Sequence, residues 1–558
     1  MNITKIIRGV RVPAAGLFRN YSNDVNPLSR TVRVVTNGIA EFFGMNKTAS
    51  VYPTHADIVI IGGGYIGSAV AHALKTRAGE GLSVIVLEKD LTYREVRNNI
   101  SHGTLIRNCS LPENIELASY GAEFLRKARE NLGEDVDVQY TPYGFLMLAS
   151  ERYTEKLEQT AVQQREMGLK NEILSANEIQ ERFPWINTSD IKLVLARLNH
   201  AWACYNDSQS SLLYWHNLIL FLDSPELRSV ATTAFCDSPR LHGSKHSTSE
   251  IDSDSKIGTL VRMCVYSPAH CLILQARKAC LSAGSMCLET EGVFNSWAFL
   301  SGLIRKSQDL GAIYINAEVT GFEIEKQRDV LMEGVEPGSF ERICKVLYKT
   351  PDNEEHSIKF AACILAAGNK SGEIAKLAKI GNSDGLLSLP LPIEKRGYGI
   401  YAICDEDRMT HLNTPLIMDT SGVWLRKDGL TNNLLCGHVP FTSEESKNMS
   451  EEEFLKKIIE PSVNNRFPLT IGKKLKKLTT EMQDYNTYDE TGIIGPHPYH
   501  NNLYIAAGFG KYGCQHAPGI GRAITELIID SHYTTIDLTR FSFDRIFINE
   551  PLIEFDVY

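Results

Sequence analysis

Three glycines and one acid pose the first chemical question. Gly62, Gly64 and Gly67 stand in a G-x-G-x-x-G spacing inside "DIVIIGGGYIGSAVAHAL", residues 57–74, and Glu88 follows 24 residues after Gly64. That spacing suits a pyrophosphate. The first glycine allows a tight turn, the second lets the phosphate approach the backbone, and the third lets a helix pack closely on the preceding strand. A carboxylate at the end of the next strand accepts hydrogen bonds from a ribose 2′-hydroxyl, and an acid at this place disfavours a 2′-phosphate. Gly63, Tyr65 and Ile66 complete the turn and supply the first helical amides; Lys89 follows the acid. The order strand, glycines, helix, strand, acid points to dinucleotide binding, against a glycine-rich turn with no ligand.

These residues need ordered elements beneath them. Asp57–Ile61 is a short apolar run of the kind buried on both faces in a parallel sheet. The spacing predicts a helix over Ser68–Thr76, with its amides and partial positive charge facing the phosphate, and a second strand in "SVIVLEK", residues 83–89. A similar unit lies near the far end. In "NNLYIAAGFGKYGCQHAPGIGRAITELIID", residues 501–530, Leu503–Ala507 reads as a strand, Gly508, Gly510 and Gly513 as a turn, and Pro518–Asp530 as an amphipathic helix. A protein that only binds NAD needs no such element. A flavoprotein does, because a helix N-terminus at the N1–C2=O edge stabilises negative charge on the reduced ring. A third unit, "FAACILAAGNKSGEIAKLA", residues 360–378, carries Ala367 and Gly368 at its turn. Either of the later two units could also be a plain strand–helix pair.

From about Ala56 to Leu193, and again from about Met286 onward, the chain resembles the FAD-dependent oxidoreductases of the D-amino-acid oxidase and sarcosine oxidase type (the DAO family). The resemblance rests on the first turn with Glu88, "PYGFLMLAS" (142–150), "LSANEIQERFPWIN" (174–187), "AEVTGF" (317–322), "ILAAGNKS" and "TGIIGPHP…LYIAAGFG". It implies an α/β fold of the DAO or glutathione-reductase-like type: a Rossmann-type FAD-binding domain with a second, mixed β-sheet substrate domain. The FAD-binding domain would be discontinuous, from 56–110, 290–375 and 490–535. The substrate domain would come from 115–193 and 385–485, with 536–558 as a C-terminal tail. Val319 falls at the family's adenine-side backbone contact. The resemblance implies hydride transfer from the carbon beside an amine to flavin N5, and so a small amine or amino-acid substrate. A mitochondrial branch of the family, which serves assembly of NADH:ubiquinone oxidoreductase (complex I), is nearer still in "RFPWIN", "ETEGVFNSW", "DTSGVWLRKDGL", "YNTYDETGIIGPHP" and "HAPGIGRA". That likeness implies complex I subunits or assembly factors as partners.

Departures from the family pattern narrow the chemistry. Sarcosine oxidases tie flavin to a cysteine seven residues before the aspartate of a T-P-D turn. The turn here is "NTYDE", and Met482 lies seven residues before Asp489, so FAD is expected to be non-covalent by this route. Another branch tethers flavin to a histidine; His102 lies in that neighbourhood, as a tether or as a neutral polar neighbour of the ring. Arg107 could pair a substrate carboxylate or an FAD phosphate, or lie at the surface. Arg396 and Tyr398 fall on a strand that the family runs over the flavin, and they are the substrate-facing candidates, against an ordinary sheet-face pair. Trp424 and Arg426 alternate on another strand. Where the oxidases read G-F-S-G-H-G, residues 508–513 read G-F-G-K-Y-G, which brings Lys511 to the flavin edge or leaves it exposed.

The whole chain sets the remaining bounds. Its 558 residues, 43% hydrophobic and 22% charged, suffice for two cores. A net charge of −9 with no basic stripe argues against a nucleic-acid protein. No apolar run reaches the roughly 18 residues of a transmembrane helix, which leaves peripheral association with the mitochondrial inner membrane open. Residues 1–21 are basic and acid-free, with Lys5, Arg8, Arg11 and Arg19 before the first acid, Asp24. They fit a mitochondrial presequence, with a linker over 22–55, and point to the matrix or the matrix face of the inner membrane. Twelve cysteines form no CxxC pair, so no metal site is expected. Residues 194–285 break the pattern. They are rich in serine and cysteine and weakly periodic, and they read as a surface insertion, a disordered loop, or non-native sequence such as translated intron.

Overall fold

A computed structural model describes residues 52–93, 103–191, 193–197, 291–327, 340–382, 387–405, 410, 414–429, 431–438 and 449–554. The presequence and most of the linker, His102, and 198–285 of the atypical segment lie outside the described residues. From Thr54 onward the chain forms one unit.

Two eight-stranded sheets organise it. In chain order the strands are β1 (His55–Ile61), β2 (Val84–Glu88), β3 (Thr104–Leu105), β4 (Phe145–Ala149), β5 (Glu172–Ser175), β6 (Leu193–Arg197), β7 (Gly292–Val293), β8 (Ile313–Asn316), β9 (Glu318–Gln327), β10 (Phe340–Lys349), β11 (Glu355–Leu365), β12 (Ile393–Cys404), β13 (Leu416–Met418), β14 (Val423–Lys427), β15 (Asn433–His438), β16 (Lys476–Asn486), β17 (Ile493–Pro496) and β18 (Leu503–Ala507). Four helices matter most: α1 (Tyr65–Ala78), α2 (Pro112–Arg126), α3 (Ser296–Asp309) and α4 (Gly513–Ile529).

The first sheet runs β17-β18-β11-β1-β2-β8, with β10 and β9 added antiparallel from β11. Its centre is parallel, with Ile58 beside Val84 and Ala362, and Ile61 beside Leu87 and Leu365. Ile58–Ile61 are buried as a continuous run because helices cover the sheet. The second sheet runs β16-β12-β15-β14-β13-β4-β6-β5 and is antiparallel except for β13 beside β4. The first sheet draws its strands from 55–88, 313–365 and 493–507, and the second from 145–197 and 393–486.

Three boundaries differ from the sequence expectation. Helix α2, expected at the start of the substrate domain, sends Leu117, Ala122 and Leu125 into the core under the first sheet. The segment 536–558, expected as a tail, buries Ile536, Leu538, Phe541 and Leu552 in that same core. Arg545 anchors it there with two donors, Nε at 2.7 Å and Nη2 at 3.0 Å, on the buried Asp489 carboxylate. The atypical segment begins as regular structure, since 193–197 is strand β6, paired between β4 and β5.

Candidate active site

The first glycine turn lies between β1 and α1. Gly62 has φ +99, and a Cβ there would come within 2.4 Å of the Ala366 carbonyl oxygen. A Cβ on Gly67 would lie 1.8 Å from the Gly62 oxygen, so α1 can sit this close to β1 only with glycine. Gly64 is different. Its φ is an ordinary −69, a Cβ there would meet nothing within 4 Å, and no side chain caps the helix it begins. The first amides of α1 therefore face open space, with no acidic residue in the first turn, as an anion site requires. Tyr65 and Ile66 contribute backbone only; the Tyr65 ring stacks on Phe299 and Ile66 packs into the core. These features fit a dinucleotide pyrophosphate.

Glu88 ends β2 beside this turn. Its Oε2 accepts the Gly63 N–H at 2.6 Å and its Oε1 accepts the Asp90 N–H at 3.1 Å. Each carboxylate oxygen keeps a second lone pair for a ribose hydroxyl. Burial pushes the Glu88 carboxyl up, against the pull of the Gly63 and Asp90 amides. Lys89 turns away to an exposed ion pair with Glu318 at 2.7 Å. The chain leaving β8 reaches the same end of the sheet, where the Ala317 N–H donates to the Glu88 carbonyl, and this brings Val319 near. Ala367 and Gly368 follow β11, with the Ala367 Cα 2.7 Å from the Cβ position of Gly62.

The second glycine turn follows β18. Gly508 and Gly510 have φ +83 and +50. Helix α4 starts at Gly513, five residues before the expected Pro518, and runs through that proline. One forfeited backbone bond does not stop a helix whose other residues are buried. The helix N-terminus therefore abuts the turn itself. Asp484, which sequence reading missed, holds it there. Its Oδ2 accepts the Gly508 N–H at 2.6 Å and its Oδ1 the Gly510 N–H at 3.2 Å. Burial pushes the Asp484 carboxyl up to about 6, against the pull of the Gly508, Phe509 and Gly510 amides.

Between this turn and the second sheet lies a cleft. Phe145, Met147, Ile400, Leu416, Met418 and Trp424 make its apolar wall. Tyr398, Glu481 and Gln483 face it from the sheet; Lys511, Tyr512 and Gln515 face it from the turn and α4. The Tyr398 hydroxyl is buried without a hydrogen-bond partner among the described residues. Desolvation by burial pushes its pKa up, the nearby Arg396 opposing. Gln515, also missed, donates to and accepts from the Ile106 backbone at 2.8 Å each, tying the loop after β3 to α4.

The other candidates are placed as follows. Arg396 does not line the cleft; its guanidinium lies 3.2 Å over the Tyr485 ring. The buried Arg107 sits beside Glu291, 3.9 Å away, with its own N–H on the same carboxylate at 3.2 Å. Met482 stands opposite Gly397 on β12. Among the described residues no cluster of metal-ligating side chains occurs.

Residues 57–213 and 258–527 match the DAO family of FAD dependent oxidoreductases. The chain belongs to that family. The match runs on past Leu193 and resumes at 258, so only 214–257 of the atypical segment falls outside it. The FAD-dependent oxidoreductase domain-containing protein 1 homolog of Drosophila melanogaster is 33% identical over 565 residues, covering 95% of this chain and 92% of the relative. The Xenopus laevis protein of that name is 31% identical over 520 residues, covering 91% and 86%. Among solved structures, L-proline dehydrogenase from P. horikoshii superposes with a TM-score of 0.59 at 17% identity, covering 90% of this chain and all of that one. Glycine oxidase from Bacillus cereus gives 0.52 at 15%, covering 86% and 96%. The chain is thus a flavoprotein of the DAO fold with FAD as its cofactor.

Proposed function

We propose that this chain is a mitochondrial flavoenzyme that oxidises a C–N bond of a small amine or amino acid and supports the assembly of respiratory complex I. The observation that carries the redox part is the cleft between the second glycine turn and the sheet. Its wall sets apolar side chains beside the polar Tyr398, Glu481 and Gln483, the mixed lining of a small-molecule site. In this reading Gly62, Gly64 and Gly67 hold the pyrophosphate, Glu88 the adenosine ribose, and the turn at Gly508–Gly513 the flavin's pyrimidine edge. FAD is held without a covalent bond, since Met482 offers no thiol. When bound, the flavin accepts hydride from the carbon beside the amine. The apolar wall excludes water and orients the substrate, and Tyr398 offers it a hydrogen bond.

The basic N-terminal stretch, with its first acid at Asp24, supports mitochondrial targeting to the matrix or the matrix face of the inner membrane. No described helix is long and apolar enough to cross a membrane. The assembly role draws on the branch motifs and on similarity over nearly the whole length of the Drosophila relative. A second reading keeps the oxidation and drops the assembly role; it is favoured by the same cleft, which explains turnover and nothing more.

Deleting the protein from cells and measuring complex I on native gels separates the two. Loss of the complex, restored by the wild type and not by a flavin-free variant, is expected. Normal complex I in cells lacking the protein overturns the assembly role, and anaerobic bleaching of the purified flavin by sarcosine or proline would then leave a metabolic oxidase.

A further inference from the structure

Three residues that line the cleft, Thr104, Ile106 and Asn108, come from β3 and the loop after it. That loop runs straight into α2, which begins with Pro112 and has Leu111 as its N-cap, a side chain with no acceptor for the orphan amides of a helix start. The near end of the loop is tied to α4 through Gln515, and its middle to Gln164, which donates to the Cys109 carbonyl at 3.1 Å and to Asn108 Oδ1 at 3.3 Å. The far end is held from the other terminus of the chain. Glu554 Oε1 accepts the Ser110 N–H and, at 3.3 Å, the Leu111 N–H; its Oε2 accepts from Asn114 Nδ2 at 2.7 Å. A carboxylate in this place also meets the partial positive charge of the helix start.

The segment that brings Glu554 there is pinned on both sides. Leu552, two residues earlier, is buried; its N–H donates to Asp489, and its carbonyl accepts from Thr491 Oγ1 at 2.8 Å. Arg540, nearer the start of the segment, pairs at 2.9 Å with Glu113 in the first turn of α2. Pro551 and Ile553, on either side of Leu552, are exposed, so the last residues of this strap lie at the surface. Their end can lift without opening the core beneath.

We propose that Glu554 is a positioning residue for the cleft. Its carboxylate fixes the start of α2, and through it the loop that carries Ile106 and Asn108. Displacing the end of the C-terminal segment frees that loop and loosens one wall of the cleft while both sheets stay folded. The inference rests on the oxidoreductase reading for the use of the cleft, but its test does not need the flavin to react.

Wild type, Glu554→Ala and Glu554→Gln are compared as full chains supplied with FAD. Amide hydrogen exchange is followed in 104–118, with 416–426 on the sheet wall as internal reference, and the flavin fluorescence is titrated with the neutral quencher acrylamide. Glu554→Ala is expected to speed exchange in 104–118 by about 10-fold or more, as for loss of hydrogen bonds to a charged acceptor. Quenching of the flavin should steepen, while exchange in 416–426 stays as in wild type and the melting temperature within a few degrees. Glu554→Gln keeps an acceptor for the Ser110 and Leu111 amides, so it should recover most of the wild-type behaviour; it also covers the case in which the alanine variant does not fold. Three results overturn the proposal: exchange in 104–118 indifferent to both substitutions, exchange rising equally in both walls as for a contact that only stabilises the fold, or faster exchange in 104–118 with quenching unchanged. The same local change of exchange in protein that takes up no FAD would support the positioning role and count against the flavin reading alone.

Discussion

Gly64 and Gly67 are three residues apart in one turn and have opposite tolerances. Gly67 is packed against backbone, so any side chain there breaks the contact of α1 with β1. Gly64 has ordinary dihedrals and empty space in front of it. Gly64→Val is therefore expected to keep the fold and lose FAD, read as a melting temperature equal to that of flavin-free wild type beside a colourless protein. Gly67→Val is expected to yield no soluble folded protein. Asp484 supplies a second prediction. Its folded pKa of about 6 lies above the ordinary value of 3.8, so the folded state binds this proton more tightly. The contribution of the group to stability is present below about pH 4 and is lost as pH rises through 6. Protonation also weakens its hold on the Gly508 and Gly510 amides. The flavin spectrum is expected to shift with a midpoint near pH 6, and Asp484→Asn should abolish that transition. The glycine turns were legible because a tight strand-to-helix turn depends on local spacing. Asp484, Glu481 and Gln515 were not, because their roles arise from strand pairing and loop docking between residues distant in sequence. The type of Arg396 suits a substrate carboxylate, but the ring of Tyr485 takes its guanidinium, which favours the sheet-face alternative that its sequence context also offered.

Helix α4 joins the two ends of the sequence. Its Gly521 lies against the Ala69 backbone of α1, and Asp530 at its C-terminal end takes both Nη atoms of Arg77, at 2.5 and 2.7 Å. Glu526 fastens the following turn. Burial would raise its pKa, but hydrogen bonds from Thr535, Thr534 and Arg522 outweigh that and bring it to about 2. A depressed acid stabilises the fold above its unfolded pKa and loses that contribution as pH falls towards the folded one. Wild type is thus expected to lose stability between about pH 4.5 and 2 in a step that Glu526→Gln lacks. The segment after α4 is held by Asp489, which also accepts the Leu552 N–H at 3.0 Å. Asp489→Asn strands the Arg545 charge and is expected to cost ~3 kcal/mol in chemical denaturation. The strands and glycine turns were readable from apolar runs and breakers. The start of α4 was not, because a proline signals a helix start more often than it sits inside one. The burial of 536–552 depends on tertiary contacts that a short, irregular sequence does not advertise.

At the scale of the molecule, three separate stretches build the nucleotide sheet and two build the cleft sheet, so neither half of the site exists until distant parts of the chain have met. The family match leaves out 214–257. Because those residues lie outside the family match and the length of a connection changes closure entropy only slowly, a chain lacking 214–257 is expected to keep its flavin and its melting temperature within a few degrees. The account as a whole requires one nucleotide laid from the first glycine turn to the second across the ends of a parallel sheet. Titrating FAD into the purified full chain and recording the visible spectrum tests this most directly. One equivalent bound per chain, with flavin bands perturbed from those of free FAD, is the predicted result. A folded protein that stays colourless and leaves the added FAD free in solution would contradict it.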